Sequence, residues 1–349
     1  MKTFAVPGGV FSMASVNQTL MRMYIEHKDW FNDNINLIPY DTFGGVWSGG
    51  RVQFSLLDEE TIEKLLYFFN VELKIPYRQI YTNLYAGHYL NDKYCNMVID
   101  LMYKSQKNTG ICNEIVIGDN RLYDYLKPKY PDFRYISSVT KALLDMDVVN
   151  RELKTTTYDL ICLWCSFNDI NILKQFNESD RKRLELLIVQ PCKPDCRYVG
   201  IHNTYVSGDI LGEFAKANMI EPPTLPNLNF KCPFYNVLTS DDLLDLPWVF
   251  SQEQLDELYN LGYSDFKITG RNVTGQLYKT QLEIWAYYLI KPEHYDDYFN
   301  VVIPQISVNV ETLYGSHISN VKDKESLFKI SKYSELSDTD KAKLEKILC

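Results

Sequence analysis

Short runs of apolar and β-branched residues alternate with longer amphipathic stretches from one end of the chain to the other. The strand-like runs are Thr3–Val6, Ile35–Ile38, Gln79–Thr82, Glu114–Ile117, Arg134–Ile136, Leu160–Leu163, Leu184–Val189, Trp248–Phe250 and Phe266–Ile268. Several are apolar on successive residues, as parallel strands covered on both faces must be. Helical spacing of apolar positions is seen in Glu59–Phe69, Lys93–Tyr103, Arg121–Lys127, Val139–Arg151, Glu178–Arg183, Gln252–Leu261 and Gln276–Leu289. Some boundaries are readable. Ser251 with Gln254 three residues on predicts a capping box, Gly262 stops the helix that follows, and Asp58 caps the helix beginning at Glu59.

Eight or nine β–α units in one chain predict an α/β fold, a TIM-like (β/α)8 barrel in preference to an open sheet. Residues 1–300 read as one barrel domain with a proline-rich insertion at about 200–246, which carries Pro222, Pro223, Pro226 and Pro233. Long excursions of this kind are usually functional or covering. Residues 301–349 read as a charged, helical C-terminal extension.

Composition narrows the class. Hydrophobic residues are 46% of the 349 and charged residues 23%, the balance of a globular chain. No run of eighteen apolar residues spans a bilayer, and the first residues lack a secretory apolar stretch, so a soluble cytoplasmic protein with no membrane partner is expected. A net charge of −9 argues against broad, non-specific nucleic-acid binding, though not against a local basic pocket. The 26 tyrosines are most simply packing residues.

The eight cysteines are expected to be reduced thiols, since a chain this long does not need disulfides to hold a core. Cys192-Lys-Pro-Asp-Cys196 directly follows the strand Leu184–Val189, which puts two thiols on a tight turn where barrel chemistry is built. Cys232 stands before a proline at the far end of the excursion, a pairing common beside metal thiolates. Zinc and iron–sulfur clusters both want four soft ligands. Cys165, just past the strand Leu160–Leu163, is the fourth candidate. Cys192, Cys196 and Cys232 should therefore converge, with Cys165 turned toward Cys192. Cys95, Cys112, Cys162 and Cys349 read as core filler.

The segment Leu184–His202, LELLIVQPCKPDCRYVGIH, resembles the collagenase-like peptidase family, whose members carry Cys, Cys, Arg and His in this order after a Glu-rich strand. Lys267-Ile268-Thr269-Gly270-Arg271 is similar to that family's Lys-Ile-Glu-Gly-Arg strand end. Trp47–Arg51, Tyr81–Asn83, Tyr94–Asn96, Lys129–Phe133 and Ser137–Lys141 resemble one subgroup, in the right order from residue 40 to about 295. The resemblance implies a TIM-like barrel and, in several branches, a four-cysteine iron–sulfur site, here a 4Fe–4S cluster with zinc as the alternative. It implies oxygen-independent hydroxylation of RNA pyrimidines or a quinone precursor, or peptidase activity. The expected partner is then a nucleotide, an RNA or a small aromatic substrate. The chain departs from the family at Thr269, where Glu is expected, and near Trp164, where an acid is expected. It departs again at Val189-Gln190 and at Asn203, which stands in place of Tyr.

Other residues could carry chemistry beside the thiols. His202 could transfer a proton and Arg197 bind an anion, or both could steady a thiolate. Lys267 and Arg271 bracket the end of a late strand, with Gly270 giving backbone room, and form a candidate phosphate corner to which Arg51 could add. Asn83 could orient a substrate or cap its own turn. Three readings follow: an iron–sulfur enzyme modifying a nucleobase or other aromatic, a non-catalytic barrel with structural zinc or a structural cluster that serves binding or assembly, and a peptidase.

Overall fold

Eight parallel strands close on themselves in chain order. They are β1 (Lys2–Pro7), β2 (Ile35–Asp41), β3 (Arg78–Tyr81), β4 (Glu114–Ile117), β5 (Arg134–Ser137), β6 (Leu160–Leu163), β7 (Leu184–Val189) and β8 (Asp265–Ile268), and β8 pairs back onto β1. The structure is a computed structural model that describes residues 1–10, 13–49, 56–190, 192–217, 240–270 and 276–314. Arg51, Cys232, Arg271, Cys349 and the prolines of the insertion lie outside the described residues, so the shared site expected for Cys232 and the phosphate corner expected for Arg271 and Arg51 do too. The described part is a (β/α)8 barrel with helices between the strands and a helix, Tyr295–Tyr314, after the last unit.

The apolar periodicity placed most elements because the strands are buried over most of their length. Leu160–Leu163 and Leu184–Val189 are buried at every position. The expected caps are present: Ser251 and Gln254 make the reciprocal capping box, Gly262 has φ 102°, and the Asp58 side chain accepts from the Thr61 N–H at 2.8 Å. Three expectations need correction. Trp248–Phe250 is not a strand: the barrel is already closed, and this segment lies on the end of β7 with the Phe250 N–H donating to the Ile188 carbonyl. Val139–Arg151 is not one helix, because Ala142 adopts a left-handed φ of 53° between the turn Val139–Lys141 and the helix Met146–Thr155. Cys112, expected in the core, is exposed. Several helices were not anticipated, Ile170–Leu173 and Ser240–Leu244 among the short ones and two of the long ones. Ala14–Glu26 packs on Tyr295–Tyr314, which itself runs across the expected boundary at residue 300, and Val199–Ala217 fills the front of the proline-rich excursion.

Inside the barrel, residues paired across strands face the same way, and two contrasting layers result. Ala5, Tyr40, Ile80, Val116, Ile136 and Leu160 form a buried apolar cluster. Below it, toward the strand N-termini, stand paired charges. The Arg78 guanidinium, fully buried, donates to Glu114 at 2.5 Å and to Glu185. Arg134 bonds Glu114 at 2.9 Å and Asp265 at 3.0 Å. Buried charges persist only when paired in this way.

Candidate functional site at the carboxyl ends of the strands

Past the apolar layer lie the strand carboxyl ends, where the chain brings three thiols together. Trp164 and Cys165 follow β6, and the turn Cys192–Cys196 follows β7, its neighbour in the sheet. Trp164, Cys165, Cys196 and Val199 form one buried cluster, with Cys192, Val139, Ala142, Tyr198 and Trp248 packed against it. The turn is pinned by indoles. The Trp164 Nε1–H donates to the Pro194 carbonyl at 3.1 Å, and the Trp248 Nε1–H donates to the Gln190 carbonyl at 2.9 Å. Cys165 is turned toward Cys192, its thiol donating to the Cys192 carbonyl at 3.5 Å. Burial pushes the Cys165 thiol well above its usual range, and the neighbouring Cys192 and Cys196 add to the shift.

The donor set is soft, sulfur-only and walled by apolar side chains, which suits zinc or an iron–sulfur cluster in donor chemistry. Cys165 stands in it as a protonated thiol that donates to the Cys192 carbonyl. Among the described residues no group of three or more His, Cys, Asp or Glu side chains is placed to hold a metal ion. Loading a metal at these residues requires the Cys165 thiol to lose its proton and leave the Cys192 carbonyl.

The other candidates are dispersed. Lys267 is 5% exposed and lies inside the barrel, its ammonium 4.7 Å from the Tyr40 ring centroid. Burial works to raise the Glu185 carboxyl, but Arg78 and Lys267 override it and hold the group below the usual carboxylate range. Glu185 in turn adds to the burial that raises Cys162, whose thiol is in the core as expected. Arg197 is exposed and folds back on its neighbour, with its guanidinium 4.8 Å from the Tyr198 ring centroid and donating to the Tyr198 hydroxyl at 2.6 Å. His202 is half-buried on the helix Val199–Ala217, one turn past the thiol cluster. Thr269, which stands where the resembling family carries Glu, donates its hydroxyl to the Val189 carbonyl at 2.8 Å.

Asn83 is fully buried, and its amide is engaged on both sides. Its oxygen accepts from the Tyr85 N–H at 2.8 Å, and its nitrogen donates to the Ser207 carbonyl at 3.1 Å. The first is the turn cap that the sequence offered as one alternative. The second reaches a helix that periodicity did not reveal. The helix is tied to the mouth again by the Leu84 N–H to the Ser207 hydroxyl at 3.2 Å and by the Asn203 amide to the Thr140 carbonyl at 3.0 Å. Val199–Ala217 thus starts at the thiol cluster beside β6 and β7 and touches the turns after β3 and β5. It lies across the mouth.

No protein-family model matches the chain, and no curated protein matches it. One solved structure, that of the U32 peptidase Mk0906, is similar over 77% of this chain and 93% of its own, with 14% identity and a TM-score of 0.41. A likeness this slight assigns nothing to the chain.

Proposed function

We propose that the protein is a metal-dependent barrel enzyme of the collagenase-like peptidase family, with Cys165, Cys192, Cys196 and Cys232 holding an iron–sulfur cluster and a nucleobase or other aromatic compound as the hydroxylated substrate. The observation that carries the metal site is the meeting of Cys165 with the Cys192–Cys196 turn in one aromatic-walled cluster at the carboxyl ends of β6 and β7. The family and the substrate class rest on the sequence motifs. When bound, the cluster supplies electron transfer or an open iron site. The chain's own part is to keep the site dry with Trp164, Trp248 and Val199 and to fix the turn through the two indole hydrogen bonds.

Anaerobic purification followed by iron, zinc and acid-labile sulfide analysis and a visible spectrum tests this reading. Brown protein with iron and sulfide supports it. Colourless protein with stoichiometric zinc replaces it by the structural reading, in which the barrel is a binding or assembly component. The helix across the mouth favours that second reading, since it occupies the place where a barrel enzyme admits substrate. Protein free of both metals sinks the two together.

A further inference from the structure

The helix Val199–Ala217 presents few of its described side chains to the core. Among its described side chains only Val199, Ser207 and Leu211 are buried, and Ile201 is 50% exposed. Gly200, Gly208 and Gly212 fall within it, and each costs a helix interior about 1 kcal/mol relative to alanine. A Cβ built at Gly200 or Gly212 meets nothing within 4 Å, so close packing does not require those glycines. Tertiary hydrogen bonds from Asn83 and Leu84 to Ser207 and from Asn203 to Thr140 hold the first half of the helix.

Those same attachments lead back to the thiols. The Asn203 amide is held by the carbonyl of Thr140, while the residues on either side of that turn, Val139 and Ala142, pack against the cysteine cluster. The Thr140 hydroxyl donates to the Thr82 carbonyl at 3.2 Å, which ties this turn to the Asn83 turn. One turn earlier the helix grows out of the cysteine turn, for the Val199 N–H donates to the Cys196 carbonyl at 3.2 Å. The first half of the cover and the thiols are joined by contiguous packing and hydrogen bonds.

We propose that Val199–Ala217 is a cover over the barrel mouth whose seating is coupled to the state of Cys165 and Cys196. A change at those sulfurs, whether ligation, alkylation or oxidation, shifts the Val139–Ala142 turn and the helix start, and so shifts the balance between seated and lifted helix. By linkage, lifting the helix must favour the change at the sulfurs by the same factor as that change favours lifting. The coupling rests on the packed thiols alone, so it holds whether or not they bind a metal.

The test reads the coupling in both directions on the full chain. Hydrogen exchange measured by mass spectrometry follows the amides of 200–212, and N-ethylmaleimide follows the thiols. Asn203→Ala and, separately, Ser207→Ala should each accelerate exchange over 200–212 at least tenfold, leave β1–β5 unchanged, and accelerate alkylation of Cys165 and Cys196 by a similar factor. Alkylated wild-type protein should show the same faster exchange over 200–212. Faster helix exchange with unchanged thiol reactivity overturns the proposal. So does a rise in exchange spread over the whole barrel in both variants, which would make the two residues ordinary stability determinants. Metal analysis is independent of these outcomes, so a metal-free protein that passes this test sinks the proposed enzyme and leaves the cover standing.

Discussion

The two ends of the barrel are built on opposite chemistry. At the strand N-termini, Arg78, Arg134, Glu114, Glu185 and Asp265 fill the interior with paired charges. At the carboxyl ends of β6 and β7 the described groups are neutral: thiols, two tryptophans and backbone carbonyls bonded by indole, amide and hydroxyl groups. The carboxylates Asp41 and Asp119 stand buried at the ends of β2 and β4. Charges buried in the floor are paired with one another and link β3, β4, β5, β7 and β8 across the interior. The soft groups at the ends of β6 and β7 carry no charge that the fold must neutralise. Lys267 marks the border between the two. Part of a strand-end motif that suggested an anion corner, it is paired with Ala5 at the level of the apolar layer, and its charge acts downward on Glu185 in the floor.

If this contrast is right, the floor is where substitution costs most. Glu185→Gln leaves the guanidinium of Arg78 partly uncompensated in a site with no solvent access, and should cost about 3–5 kcal/mol in chemical denaturation. The pH dependence sharpens the point. Because Glu185 is held below its unfolded value of about 4.3, its contribution is fully present above that pH and is lost as pH falls through the lower folded value. The stability gap between wild type and Glu185→Gln should therefore narrow as the pH is lowered below about 4. A gap that widens in acid would mean that the carboxyl is not held ionised by Arg78 and Lys267.

At the mouth, equivalent changes should be mild for folding and severe for the site. Trp164→Phe keeps most of the ring but removes the bond to the Pro194 carbonyl, with an expected cost of about 1 kcal/mol. Cys165→Ala should cost about 1 kcal/mol as well. In anaerobically purified protein, however, it should abolish bound metal. Retained iron or zinc in Cys165→Ala would remove Cys165 from the ligand set and leave its burial as simple packing.

The same contrast decides what could be read from the sequence. Strands such as Leu160–Leu163 and Leu184–Val189 are visible because burial on both faces leaves a continuous apolar run. The thiol turn is visible because two cysteines four residues apart at a strand end need little context. Nothing local marks Arg78 as a barrel-interior residue, since its partners lie 36 and 107 positions away. The helix Val199–Ala217 hides for a different reason. Its three glycines and its exposed Ile201 break the apolar period, because it lies across the mouth with few buried side chains. Asn83 is in the same position, since its cap is local but its tether to Ser207 spans 124 residues.

The smallest effect belongs to Arg197, and it separates sequence proximity from placement. Its position one residue after Cys196 made it a candidate for anion binding at the mouth. In the fold its guanidinium is exposed and spent on the Tyr198 ring and hydroxyl, an arrangement worth roughly 0.5–1 kcal/mol in water. Arg197→Ala should therefore change stability by no more than about 1 kcal/mol and leave metal content and the alkylation rates of Cys165 and Cys196 as in wild type. Titration with a nucleoside monophosphate should also give the same affinity for the variant and the wild type. A loss of several-fold in that affinity, with stability and metal unchanged, would show that the guanidinium leaves Tyr198 to meet an anion. The mouth would then carry a usable charge after all, and the division between a charged floor and a neutral mouth would fail at this residue.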